Sequence, residues 1–353
     1  MKYTNPRERF LAFLQGKELD QIPFVIYDDV EPLQEVWQTF GKGRIGLLRW
    51  SAVHQVETPH CRQVTEEFWQ EGRKWDRTTI FTPAGKLYEE RAFEPVYNSP
   101  SIRKHFITDP EDYEVFWAYL EDAIILPDYE RYYRDEAELG EEGLPLVAVE
   151  RTPYQQLWIQ WVGLDALAYH FSDCPERVEK TIDLLNRRAR KIYDLVIQSP
   201  APFIDFPDNI TAPAIGLKRF REYCLPLYNE LSERLHEKGV YTVVHMDGNL
   251  KPLWGAIGES KIDGLDSLSP PPDNDTSVEQ ALEMWPEKRL MVNFPSSVHL
   301  GTYEEVRAEA ERMLSTGAKT GRLEIQISES VPPTRWKTSF RAILDAVETY
   351  NIF

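Results

Sequence analysis

The sequence predicts an α/β protein, a (β/α)8 TIM barrel with an N-terminal β-hairpin elaboration. Three observations lead there. Short β-type runs alternate with helical stretches, which implies a parallel sheet with crossover helices. Eight such units suit a chain of 353 residues better as a closed barrel than as a doubly wound sheet. No GxGxxG opening is present, which removes the usual argument for a dinucleotide-binding fold.

The β-type runs are Ile22–Tyr27, Leu146–Glu150, Phe203–Phe206, Val240–His245, Gly264–Leu268, Leu290–Phe294 and Leu323–Ser328, and Ser51–Glu57 is a weaker eighth. The helices between them are marked by stop and start signals. Asp173-Cys174-Pro175-Glu176 reads as a capping box with an early proline. Behind it Val178, Ile182, Leu185, Ala189, Ile192 and Val196 form one apolar stripe, the face expected against a sheet. Asp109–Asp112 opens another helix, and Gly239 stops the stretch Phe220–Lys238. Glu304–Leu314 and Trp336–Thr349 read as the last two covering helices. Residues 58–108 break the alternation. Thr65–Trp69, Lys74–Phe81 and Lys86–Phe93 read as antiparallel strands with a turn at Pro83–Gly85. The expectation is one domain over residues 1–353, with this β-rich insertion either over one rim of the barrel or as a decorative edge.

Composition narrows the function. Hydrophobic residues make up 42% of the chain, enough for a sizeable core. The net charge of −18 repels phosphate backbones and anionic lipid, so nucleic acid and membrane surfaces are poor partners. Cys61, Cys174 and Cys224 are scattered, with no CxxC pair, as expected of reduced thiols in a cytoplasm. The opening segment lacks a hydrophobic signal core, and no run reaches membrane-spanning length. A cytoplasmic protein is expected.

The candidate chemistry gathers at strand ends, where a parallel barrel builds its active site. His245-Met246-Asp247-Gly248 follows the fifth run, and residues two apart on a strand point the same way. His245 and Asp247 can therefore converge to bind a metal, to transfer protons, or simply to close a loop by a hydrogen bond. Asp28 and Asp29 follow the first run, Asp205, Asp208 and Asn209 the fourth, and Ser328-Glu329 the eighth. Asp266 and Asn293 lie in the sixth and seventh runs, and Glu150-Arg151 follow the third. About half of such polar groups serve as caps and surface residues in any protein. Aromatic neighbours such as Tyr27, Trp50 and Phe206 supply pocket walls.

Several segments, taken in order, resemble the uroporphyrinogen decarboxylase superfamily, which also includes cobalamin- and thiol-dependent methyltransferases. These are Arg7–Phe10 with Asp20–Pro23, Ile107–Tyr113, Phe203–Gly248, Ile262–Asp266, Pro270–Pro272 and Glu329–Pro333. The resemblance implies a (β/α)8 barrel and is compatible with a homodimer. The decarboxylase branch carries a basic RQAGR-type motif after the first strand. This chain has Tyr27-Asp28-Asp29 there, which would repel a polyanionic tetrapyrrole. Phe171-Ser172-Asp173 matches the letters of that branch's catalytic FSD-like motif but lies far downstream at a helix start.

The methyltransferase branch has a zinc site of the form H-x-C plus a cysteine in the final barrel loop. His245 matches the histidine, Asp247 takes the first cysteine position, and the second falls near Ser328-Glu329. The resemblance then implies a site at His245, Asp247 and Glu329 for zinc or a harder divalent ion. It implies methyl transfer from a small methylated substrate to a thiol or to a corrinoid borne by a partner protein. Asp205 and Asp208 would orient the substrate, with Tyr27, Asp28 and Asn293 beside it. The rival enzyme is a decarboxylase or lyase of a small carboxylate, with Arg151 or Arg335 holding the acid. A ligand- or corrinoid-binding barrel without catalysis is the third reading. Strand parity sets Glu329 on the face of Leu323, Ile325 and Ile327, and Ser328 on that of Glu324 and Gln326.

Overall fold

The computed structural model describes residues 3–96 and 99–352. Eight parallel strands close into a barrel: β1 (Phe24–Tyr27), β2 (Gly46–Ser51), β3 (Gly143–Ala148), β4 (Phe203–Phe206), β5 (Tyr241–His245), β6 (Gly264–Leu268), β7 (Arg289–Asn293) and β8 (Leu323–Ile327). Each strand pairs with its neighbours in chain order, and β8 returns to β1 with Val25 opposite Gln326. Every residue of β4, β6 and β8 is buried. That is the pattern of parallel strands covered on both faces.

The second strand differs from the expected one. It is Gly46–Ser51, while His54–Glu57 pairs antiparallel with Ile124–Pro127. Arg49 and Trp50 disguise the true strand by interrupting its apolar run. The third strand begins earlier than expected, at Gly143, where a Cβ would stand 2.0 Å from the Leu47 carbonyl oxygen. Only glycine lets β2 and β3 pair so closely.

Side-chain contacts identify the inner face. On β5, Thr242 Oγ1 lies 2.6 Å from Ser232 Oγ of the helix Leu225–His236. Thr242 therefore faces the outer helices, and alternation turns Val243 and His245 inward. On β8, Leu323 packs on Gly317 of the helix Tyr303–Gly317. Glu324 and Gln326 consequently face the barrel interior.

The barrel lies in one compact unit formed by Met1–Val53, Tyr129–Val149 and Ile197–Phe353. A second unit comprises His54–Asp128 and Glu150–Val196. It holds a four-stranded antiparallel sheet of Arg62–Gln70, Arg73–Thr82, Gly85–Phe93 and Pro100–Lys104. The hairpin turn falls at Pro83-Ala84, with Thr82 opposite Gly85. The same unit contains the helix that opens at Pro175, and its stripe from Val178 to Val196 is buried as its periodicity predicts. Among the described residues, no helix is long and apolar enough to cross a membrane.

Candidate active site

His245 ends β5 and is 9% exposed. Its Nδ1 lies 2.7 Å from Asp266 Oδ2 on β6, and its Nε2 lies 3.6 Å from Asp247 Oδ2. The imidazole is thus held between two carboxylates. Burial alone would drive its proton off, but the hydrogen bonds and charges of Asp247 and Asp266 outweigh burial and raise its pKa well above the ordinary value. The two carboxylates thus favour the protonated ring. Asp247 is held below the usual carboxylate range: burial acts upward, and His245 and the Asn209 amide overcome it.

Tyr27, the last residue of β1, completes the cluster. Its hydroxyl donates to Asp266 Oδ2 at 2.6 Å and sits 3.4 Å from His245 Nδ1 and 3.3 Å from Ser267 Oγ. Burial, followed by the charges of Asp266 and Asp205, keeps it a phenol far past its ordinary titration. Gln326 Nε2 donates to Asp266 Oδ1 at 2.9 Å and to Ser267 Oγ at 2.7 Å. Trp50 packs edge-on against Tyr27 at 5.3 Å between ring centroids and stands 6.3 Å from the His245 ring.

Two backbone features make this convergence possible. The register of β6 shifts between Leu265 and Leu268, and Ser267 takes a positive φ of 56°. In a regular strand Asp266 and Ser267 would point to opposite faces. The bulge brings both to Tyr27 and Gln326. Gly248 is the second feature, because a Cβ there would stand 2.3 Å from Thr211 Cβ. The chain after β5 thereby lies close against the chain after β4: Ile210 N donates to the His245 carbonyl at 3.2 Å, and Gly248 N to the Ile210 carbonyl at 3.1 Å. Asn209 Nδ2 reaches Asp247 Oδ2 at 2.9 Å across this join.

The other expected site residues divide. Asp205 is fully buried on β4, and a ligand atom of each of Asp205, His245 and Asp266 lies within 4.8 Å of the other two. Asp208 is not in that group. Its Oδ2 accepts from Tyr228 Oη at 2.5 Å, so it ties the loop to the helix Leu225–His236. Asp28 accepts from Arg49 Nε at 2.5 Å, and Arg49 also bonds Glu138. Asn293 accepts from the Ser328 amide at 3.0 Å and donates to Ser269 and Glu329, so it joins loops. Arg335 is exposed ahead of the last helix, and Arg151 belongs to the second unit, where its carbonyl accepts from Gln156.

The resemblance implies zinc or a harder divalent ion at His245, Asp247 and Glu329; among the described residues the carboxylates grouped with His245 are Asp205 and Asp266. Oxygen replaces both sulfur ligands, and Glu329 is engaged with Ser296 and Asn293, outside the His245 grouping. Sequence reasoning noted Asp266 in the sixth run but gave it no role, and it missed Gln326, Ser267 and Glu324. Glu324 faces the interior on β8, and burial, with the Asp266 charge, keeps its carboxyl protonated well above the ordinary range. A polar residue at alternate positions of an otherwise apolar strand was the available signal.

Comparison with known proteins gives a family and a match in overall fold to a methyltransferase. The model of the uroporphyrinogen decarboxylase (URO-D) family matches residues 162–350, more than half of the chain. A methyltransferase from Methanosarcina mazei is 12% identical, with a TM-score of 0.59 over 98% of this chain and 99% of that one. D-psicose 3-epimerase from Clostridium cellulolyticum H10 is 11% identical, with a TM-score of 0.38 over 62% of this chain and 82% of its own. No curated protein matches. This chain belongs to the uroporphyrinogen decarboxylase (URO-D) family.

Proposed function

We propose that this chain is an enzyme that moves a methyl group from a small methylated compound to a thiol, or to a corrinoid carried by a partner protein. The observation that carries the reading is His245 at the carboxyl end of β5, held between the Asp266 and Asp247 carboxylates, which favour its protonated form. With a thiol acceptor, the bond between the methyl carbon and its heteroatom breaks and a carbon–sulfur bond forms. The thiol proton ends on the departing heteroatom. His245 relays that proton: Nδ1 stays anchored on Asp266, while Nε2, facing Asp247, gives its proton to the departing heteroatom and regains one from the thiol. Tyr27 holds Asp266 in position by donating to the oxygen that His245 uses. Asp247 remains ionised and is oriented by Asn209.

The acidity of the centre supports this choice over the family's namesake reaction. Asp205, Asp247 and Asp266 surround a single imidazolium, and the Asp28 carboxylate is already paired with Arg49. A substrate bearing several carboxylates would meet net repulsion there. A smaller monocarboxylate is a second reading, favoured by one observation: an imidazolium is the proton donor that quenches the carbanion left when CO2 departs.

Assaying methyl transfer and CO2 release on the same panel of methylated and carboxylated compounds separates the two. The proposal expects methylated acceptor without CO2. CO2 release without methyl transfer contradicts it, and binding with neither product points to a barrel that only holds its ligand.

A further inference from the structure

The strand β8 carries polar atoms that the reading above leaves unused. Glu324 and Gln326 are fully buried and lie two residues apart on the inner face. The Gln326 amide spends its nitrogen on Asp266 and Ser267. Its Oε1 and both oxygens of Glu324 are buried with no hydrogen-bond partner. A buried polar atom left without a partner is costly, so three on one strand face need an explanation.

A second observation lies on the facing strands. Asp205 on β4, His245 on β5 and Asp266 on β6 each offer a ligand atom within 4.8 Å of the other two. Three protein ligands with the remaining positions open is the arrangement in which a hydrated cation keeps several waters. Waters on such an ion are strong donors, and the carbonyl oxygen of the Glu324 carboxyl and Gln326 Oε1 are acceptors for such waters. Oxygen-rich ligands select hard ions over thiophilic ones.

We propose that Asp205, Asp266 and the neutral imidazole of His245 bind a hard divalent cation, of the magnesium or manganese class, whose bound waters donate to Glu324 and Gln326; the ion and the second His245 proton exclude each other. The carboxylates of this site are Asp205 and Asp266, where the sequence resemblance implies Asp247 and Glu329 beside His245. Glu324 is a positioning residue in this arrangement, because it acts on the ion through water.

The experiment titrates manganese(II) into the chelator-treated full chain by calorimetry, with and without a magnesium or zinc competitor. Thermal unfolding controls for folding. The expected result is one manganese per chain, displaced by excess magnesium, with affinity at least 10-fold weaker in D205N and D266N and weakened less in E324Q. D247A and E329A should bind as the wild type does. Manganese should also broaden the NMR signals of His245 before those of the other histidines, which tests the site without any variant. Absence of stoichiometric manganese on the folded wild type overturns the proposal. So does binding that survives D205N and D266N but fails in D247A or E329A, or a site that takes zinc while refusing manganese. None of these readouts depends on methyl transfer, so this site and the proposed reaction can fail separately.

Discussion

His245 Nδ1 stands 2.7 Å from Asp266 Oδ2, and the Tyr27 hydroxyl donates to that same oxygen at 2.6 Å. One carboxylate oxygen therefore couples three strands of the barrel. Replacing it with an amide in D266N removes the negative charge while keeping the shape. The His245 imidazole should then lose its proton at a lower pH than in the wild type, because burial is no longer opposed by that charge. NMR titration of the metal-free protein, labelled at histidine, reads the shift. An unchanged His245 titration would show that Asp266 does not hold the proton in place.

The same pair makes stability depend on pH. The folded protein keeps the His245 proton above the ordinary imidazole range, near 6.5, whereas the unfolded chain releases it there. Its stabilising contribution is complete below the unfolded value and is lost as pH rises through the folded one. Urea unfolding of the metal-free protein from pH 6 upward should show wild-type stability falling toward that of H245Q, with the gap between them narrowing. A constant gap would contradict the assignment.

The join between the loops after β4 and β5 depends on the absence of a side chain at Gly248. A Cβ there would stand 2.3 Å from Thr211 Cβ and 2.9 Å from the Ile210 carbonyl oxygen. G248A should cost about 1–3 kcal/mol, the usual range for overpacking. It should also impair the site, because the displaced segment carries Asp247. Chemical denaturation measures the first effect and His245 titration the second.

Asp208 supports the fold through Tyr228. Y228F removes the donor to a fully buried carboxylate and should destabilise by about 1–3 kcal/mol. Its effect on His245 titration should be small, since Asp208 stands outside the group formed with Asp205 and Asp266. A large change there would return Asp208 to the chemical centre.

The barrel was legible because parallel strands buried on both faces are rich in apolar and β-branched residues, as Phe203–Phe206 and Tyr241–His245 are, and because helical stretches alternate with them. The strand Gly46–Ser51 was hidden because Arg49 and Trp50 sit in it. His245 was legible from its place at a strand end. Its partner Asp266 was visible as an acid in a strand, but Ser267 was not, since only the bulge turns it into the site. Glu329 illustrates parity: it follows the outward face of Leu323, Ile325 and Ile327, and it bonds Ser296 and Asn293 in the structure. Gln326 and Glu324 were passed over because chain position alone does not say which face of β8 is the interior.

The most direct measurement follows an isotopically labelled methyl group from a small methylated substrate to a thiol or corrinoid acceptor, in the wild type and in H245A. The label should reach the acceptor with the wild type, and the rate should fall by about 10²–10⁴-fold in folded H245A, the range for losing a proton-transfer group. Equal transfer by the two proteins would remove His245 from the reaction. Labelled CO2 from a carboxylated compound, with no methyl transfer to either acceptor, would contradict the account as a whole.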